Sequence, residues 1–116
     1  MKMFVDVPAV YLCVDAVDFR KSINGLAALV ETELELPVFN GALFVFCNKG
    51  RDKLKLLYWD KTGFALWYKR LDKARFKWPD LTSSTMILSE QQLHWLLSGY
   101  DVIGHRNIDV TGKQMI

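Results

Sequence analysis

The chain has 116 residues, of which 51% are hydrophobic and 13% aromatic. That suits one packed domain and excludes disorder as the dominant state. No apolar run of about 18 residues occurs, so a transmembrane helix is not expected, and the opening MKMFVDVPAVYLCVD is broken by Asp6 and Pro8, unlike a signal peptide. A cytoplasmic location follows. The net charge of +2 conceals an asymmetry: Lys49 to Trp78 holds 10 Lys or Arg against 3 Asp, a net of +7, and the remaining residues hold 5 against 10, a net of −5. A segment so basic predicts an anionic partner.

In chain order, AVYLCV (Ala9 to Val14) reads as a short strand after Pro8. Asp18 stands as an N-cap before FRKSINGLAALVETEL, where Phe19, Ile23, Leu26, Val30 and Leu34 recur at helical steps, and Pro37 closes the helix. Gly25 weakens it by about 1 kcal/mol relative to alanine, which a close packing contact would justify. ALFVFC (Ala42 to Cys47) is continuously apolar, as a strand covered on both faces is. NKGRD turns around Gly50, and Lys53 to Trp59 alternates Lys53 and Lys55 with Leu54, Leu56 and Tyr58. DKTG, Asp60 to Gly63, signals a hairpin with glycine at a positive φ. Phe64 to Leu71 returns as a strand with Phe64, Leu66 and Tyr68 on one side, and Arg75 to Trp78 forms a fourth short strand stopped by Pro79. Met86 to Leu88 is a brief edge strand. Ser89 opens a second helix with a capping box to Gln92; Leu93, Leu96, Leu97 and Tyr100 stripe it, and Gly99 ends it. The tail from about residue 103 has no usable period. The expected fold is a single α+β domain over residues 1–116: an antiparallel β-meander of about four to six strands with two main helices packed on it.

Catalytic chemistry is not expected. His94 and His105 lie eleven apart, without CxxC or HExxH spacing, so neither metal nor other cofactor is indicated. Asp15 and Asp18 read as a turn carboxylate and a helix cap, and no base is nominated for a Ser or Cys nucleophile. Gly50 alone is no phosphate loop. Cys13 and Cys47 sit at strand-like positions and read as buried thiols of a reducing compartment.

What remains is the basic ribbon. Lysines on a sheet can simply be its wet face. Simple alternation, however, puts Leu57, Trp59 and Trp67 on the lysine-bearing side, and exposed apolar patches mark contact sites. Cations that neutralise phosphates, interleaved with aromatics that stack or pack, define a nucleic-acid surface. The residues expected to form it are Lys49, Arg51, Lys53, Lys55, Lys69, Arg70, Lys73, Arg75 and Lys77. Charge pattern does not separate DNA from RNA. The competing reading is a protein-interaction module, with Trp59 and Trp67 as its contacts and Trp78 as a further aromatic.

Three segments resemble a known family: VDFRKSINGLAALV (Val17 to Val30), LFVFCNKGRDKLKLLYWDKTGFALWYKRLDKARFKWP (Leu43 to Pro79) and LSEQQLHWLLSGYD (Leu88 to Asp101). Together they closely resemble TnpB, the second open-reading-frame product of IS sixty-six-type insertion sequences. The most specific pieces are Asp18 to Val30, Leu43 to Lys55, the W-D-x-x-G hairpin Trp59 to Gly63, and Lys69 to Pro79. The resemblance implies a bacterial accessory protein of transposition, acting beside a separately encoded transposase that carries the strand-transfer chemistry. Its expected partners are DNA, that transposase and a second copy of itself, with no membrane. Arg20, Lys21, Arg51, Lys53, Lys55, Lys69, Arg70 and Arg75 carry over. Cys47 and Asn48 depart from the more basic or glycine-rich loop usual there, and the tail from Ile103 differs from the usual short basic end.

Overall fold

The computed structural model describes residues 7–100; the tail expected to be irregular, and His105 within it, lie outside them. Seven elements follow one another: β1 (Val10–Cys13), α1 (Ile23–Thr32), β2 (Leu43–Cys47), β3 (Lys53–Trp59), β4 (Phe64–Arg70), β5 (Thr85–Leu88) and α2 (Glu90–Leu97). The strands form one sheet in the order β4-β3-β2-β1-β5.

The sheet is mixed, which corrects the antiparallel expectation. β2, β3 and β4 do form a meander, with Phe44 opposite Leu57 and Lys55 opposite Tyr68. β1 and β2, however, run parallel, Val10 beside Leu43, with α1 as their crossover. β5 returns antiparallel on the outer side of β1, Leu88 opposite Val10. The fully apolar β2 is therefore the central strand, and all five of its residues are buried.

Each face of the sheet has its own core. Leu26, Ala27, Leu29 and Val30 of α1 pack with Phe44, Phe46 and Leu57 on one face. Leu93 and Leu96 of α2 pack with Leu12, Val45, Leu54 and Leu56 on the other. The molecule is a helix–sheet–helix sandwich, and alternate residues along each strand address different helices.

Four local expectations change. Helix α1 begins at Ile23 with Ser22 as N-cap and ends at Thr32, well before Pro37. Asp18 instead accepts from the Arg20 backbone and guanidinium, organising the turn ahead of the helix. Arg75 to Trp78 forms no ladder: the Phe76 amide donates to Arg51 O at 2.7 Å and the Trp78 indole to the Cys13 and Val14 carbonyls at 3.1 Å. The segment plugs the end of the sheet. Finally, the left-handed positions of the two turns are Arg51 (φ 61°) and Lys61 (φ 81°), not Gly50 and Gly63.

The second helix behaves as read. Ser89 and Gln92 form the reciprocal capping box, and Gly99 (φ 90°) closes the helix as the Tyr100 amide reaches Trp95 O. Cys13 and Cys47 are free, buried thiols in the two different cores, so they face opposite sides of the sheet. Among the described residues, no helix is long and apolar enough to cross a membrane.

Candidate nucleic-acid interface

The topology sorts charge. Parallel β1 and β2 end at one edge of the sheet, where the β1–α1 loop, the β2–β3 turn and the segment after β4 all gather. In that half of the molecule stand Arg20, Lys21, Lys49, Arg51, Lys53, Lys55, Lys69, Arg70, Lys73, Arg75 and Lys77, against Asp15, Asp18, Asp52, Asp72 and Asp80. Eleven cations and five carboxylates leave +6. The opposite half has Lys61 alone among described cations, against Glu31, Glu33, Glu35, Asp60 and Glu90, leaving −4. The two sum to the +2 of the described chain. Each arm of the fold reverses direction at the same two ends, and the sequence loads the two ends oppositely.

The cationic half contains a groove of about 910 Å³ between the β1–α1 loop and the β2–β3 turn. Asp18, Phe19 and Arg20 form one wall, and Asn48, Lys49 and Gly50 the other; Lys53, Lys55 and Tyr68 lie on its floor. Four of these side chains are cationic and one, Asp18, is anionic. The floor is the part of the α1-side sheet face that α1 leaves open: Lys53 pairs across with Arg70, and Lys55 with Tyr68.

The walls are built locally. Asn48 Nδ2 donates to Asp52 at 2.7 Å, while Asn48 Oδ1 accepts from the Asp52 and Lys53 amides, bracing the β2–β3 turn from inside. The Asn48 bond, aided by Lys53, holds the Asp52 carboxyl below its ordinary range. Cys47 is the last residue of β2 and is wholly buried, as its strand-like position predicts, and so lies before the loop itself. On the facing wall the Arg20 guanidinium lies 2.7 Å from Asp18. Hydrogen bonds from its side chain and backbone pull the Asp18 carboxyl down to about 2. Lys55 joins wall to floor: its Nζ donates to Phe19 O (3.0 Å) and Lys21 O (3.3 Å) and sits 4.8 Å over the Phe19 ring.

The nine cations read from the sequence do not share one face. Lys49, Lys53 and Lys55 line the groove, and Arg70 stands beside its floor. Lys69 points to the other side, where its Nζ donates to Leu97 O at the end of α2, satisfying a terminal carbonyl. Arg51 turns inward: its guanidinium lies 5.5 Å over the Trp78 ring and its Nη1 is buried without a hydrogen bond. It is a strut for the segment that follows β4. Lys73, Arg75 and Lys77 project from that segment and are exposed. The three ion pairs among the described residues that involve these cations or their neighbours are surface pairs: Arg20–Asp18, Lys53–Asp52 and Arg70–Asp72. The two at 3.5 Å bind the cations weakly.

The tryptophans also separate. Trp59 shares the face of Lys53 and Lys55, but at the acidic end, in a cluster with Phe39 and Phe64 whose ring centroids lie 5.1 to 5.4 Å apart. Phe39 is 56% exposed there. Trp67 pairs with Leu56, lies on the opposite face and packs against the α2 core, which corrects its placement on the lysine side. Tyr68, missed in the sequence, is the aromatic that does stand among the cations, and it is 50% exposed.

The fold and groove thus define a small sheet protein that presents one concave cationic end. The sequence pattern of the family described as IS66 Orf2 like protein matches residues 8–107, and the chain belongs to that family. Two relatives from Sinorhizobium fredii (strain NBRC 101917 / NGR234) are similar over most of their length. The uncharacterized protein y4jC is 36% identical over 85 residues, covering 73% of each chain. The uncharacterized protein y4hO is 37% identical over 92 residues, covering 79% of this chain and 80% of that one. No solved structure matches the chain. Membership in this family makes the protein an accessory component of insertion-sequence transposition.

Proposed function

We propose that the protein is a non-catalytic accessory of transposition that binds DNA through its cationic end. The observation that carries this reading is the opposite loading of the two ends, +6 against −4, with the groove at the positive one. A field so polarised orients an approaching polyanion and raises its association rate. Lys49, Lys53, Arg70, Lys73, Arg75 and Lys77 supply the mobile phosphate contacts, Arg20 sits at the rim, and Lys55 is a fixed positive charge on the floor. Lys69 and Arg51 act through the fold. Replacing Lys49 and Lys53 together by alanine removes two phosphate contacts. The slope of log affinity against log salt then becomes shallower by roughly 1.4 to 1.8, with the fold intact. Unchanged affinity and slope in that variant refute the reading.

A second reading has its own observation. The Phe39–Trp59–Phe64 cluster is a partly exposed aromatic patch at the acidic end, away from the proposed DNA surface. Aromatics are enriched at interface hot spots, and the transposase is the partner it would serve. Capture of the transposase that survives high salt and is lost in Trp59→Ala supports this docking role. Capture that is lost in salt and indifferent to Trp59 assigns the contact to charge.

A further inference from the structure

The geometry points to a single-stranded nucleic acid as the occupant of the groove, with one base stacked on Tyr68. This deepens the DNA-binding reading and rests on it. Tyr68 stands on a flat sheet face directly across from Lys55, and Arg70, two residues on, stands across from Lys53. An aromatic ring half exposed to water thus lies within a quartet of floor positions whose other three members are cations. Side chains on the same face of paired strands are within reach of one another, so a base on the ring brings its flanking phosphates to the lysines and arginine.

The availability of a free base face decides between strand and duplex. The ring is at the floor, with Phe19 and the Asn48–Gly50 turn rising on either side. The groove is open to solvent and, at about 910 Å³, has room for a nucleobase with its flanking backbone. In a duplex both faces of each base are already stacked within the rod, so an aromatic side chain on the protein surface finds no base face to pack on. An unpaired base offers a free face, and stacking on it tolerates any sequence. One of the three cations is held in place rather than mobile. Lys55 is fixed by two backbone carbonyls and the Phe19 ring, so a positive charge stays beside Tyr68 without a carboxylate to neutralise it.

The test measures fluorescence anisotropy of a labelled oligothymidylate and of a duplex of equal length against the wild type, Tyr68→Ala and Tyr68→Phe. The single strand should bind more tightly than the duplex. Tyr68→Ala should weaken it by roughly 5- to 100-fold while leaving the weaker duplex binding unchanged, and Tyr68→Phe should retain wild-type affinity. Thermal melts should show Tyr68→Phe at the wild-type Tm and Tyr68→Ala still cooperatively folded, lower by about 1 kcal/mol at most, so that lost binding is not lost fold. In an oligouridylate arm, weaker binding than to oligothymidylate is expected; tighter binding would overturn the DNA reading on which the proposal rests. Duplex preferred over single strand, or a Tyr68→Ala variant that binds the single strand normally, overturns it while the cationic-end reading stands. Binding of neither nucleic acid overturns both.

Discussion

Lys53 and Lys55 occupy the same face of the same strand, two residues apart, and in the sequence they are interchangeable. The structure makes their replacement by methionine unequal. Lys55 Nζ donates to Phe19 O at 3.0 Å in a part-buried setting, to Lys21 O at 3.3 Å near solvent, and lies 4.8 Å over the Phe19 ring. A hydrogen bond from a charged donor contributes about 1.5 kcal/mol at the low end of its range, and an exposed cation–π contact about 0.5 kcal/mol. Water takes over the Lys21 carbonyl, so that bond adds little. Lys55→Met should therefore cost about 2 kcal/mol, or about 8 °C in Tm for a domain of this size. Lys53 makes one ion pair at 3.5 Å with both side chains 36% exposed, which is within a few tenths of a kcal/mol of neutral, so Lys53→Met should melt about where the wild type does. Chemical denaturation of the two variants side by side is the assay. Equal stability would refute the assignment of Lys55 as the tie between the Phe19–Lys21 wall and the sheet.

The other predictions concern thiols, acid and the plug. Burial, helped by the Asp15 charge, pushes the Cys13 thiol up to about 11, and burial pushes Cys47 up as well. Both should resist a thiol-modifying reagent at neutral pH and react only when denaturant is added; fast labelling of the native protein would contradict their placement in the two cores. Asp18 titrates at about 2 rather than its ordinary 3.8 because Arg20 binds its charged form. The stability this contributes is complete above about pH 4 and is lost as pH falls through 2. Carboxyl titration by NMR should show that midpoint, returning towards 3.8 in Arg20→Ala. Trp78→Phe removes the indole donor shared by the Cys13 and Val14 carbonyls. It should lower stability by about 1 to 2 kcal/mol in urea; a neutral result would mean that the plug does not anchor the sheet's end.

Much of this fold is visible in local pattern. The unbroken run LFVFC announces a strand covered on both sides, the Ser89–Gln92 pair announces α2, and DKTG announces the β3–β4 turn. The parallel pairing of β1 with β2 is not visible, because α1 separates them and nothing in either strand records which neighbour it takes. Arg75 to Trp78 resembles a strand because its side chains alternate, yet its amide and indole groups go to the sheet's end rather than to a ladder. Within the site, Arg51 and Lys69 look like their neighbours in sequence; a left-handed turn residue and a helix end, both tertiary features, send them elsewhere. Tyr68 was legible in principle. Pairing Asp60 with Gly63 across the turn and counting back puts Lys55 opposite Tyr68 and Leu56 opposite Trp67. Alternation within each strand, without that register, puts Trp67 on the wrong face.

Charge separation along a chain is common, but here the fold turns it into two poles. β3 and β4 present their cation-bearing ends at the side where α1 begins, and the carboxylates at the end of α1 and in the hairpin turn collect at the other. The measurement that tests this most directly is an amide hydrogen-exchange footprint of the protein with and without oligonucleotide. Added protection should fall on residues 19–22, 48–55 and 68–77 and be absent from residues 31–40 and 60–64. Protection centred on the acidic pole, or none at either, would contradict the claim that the positive end is the one that meets the polyanion.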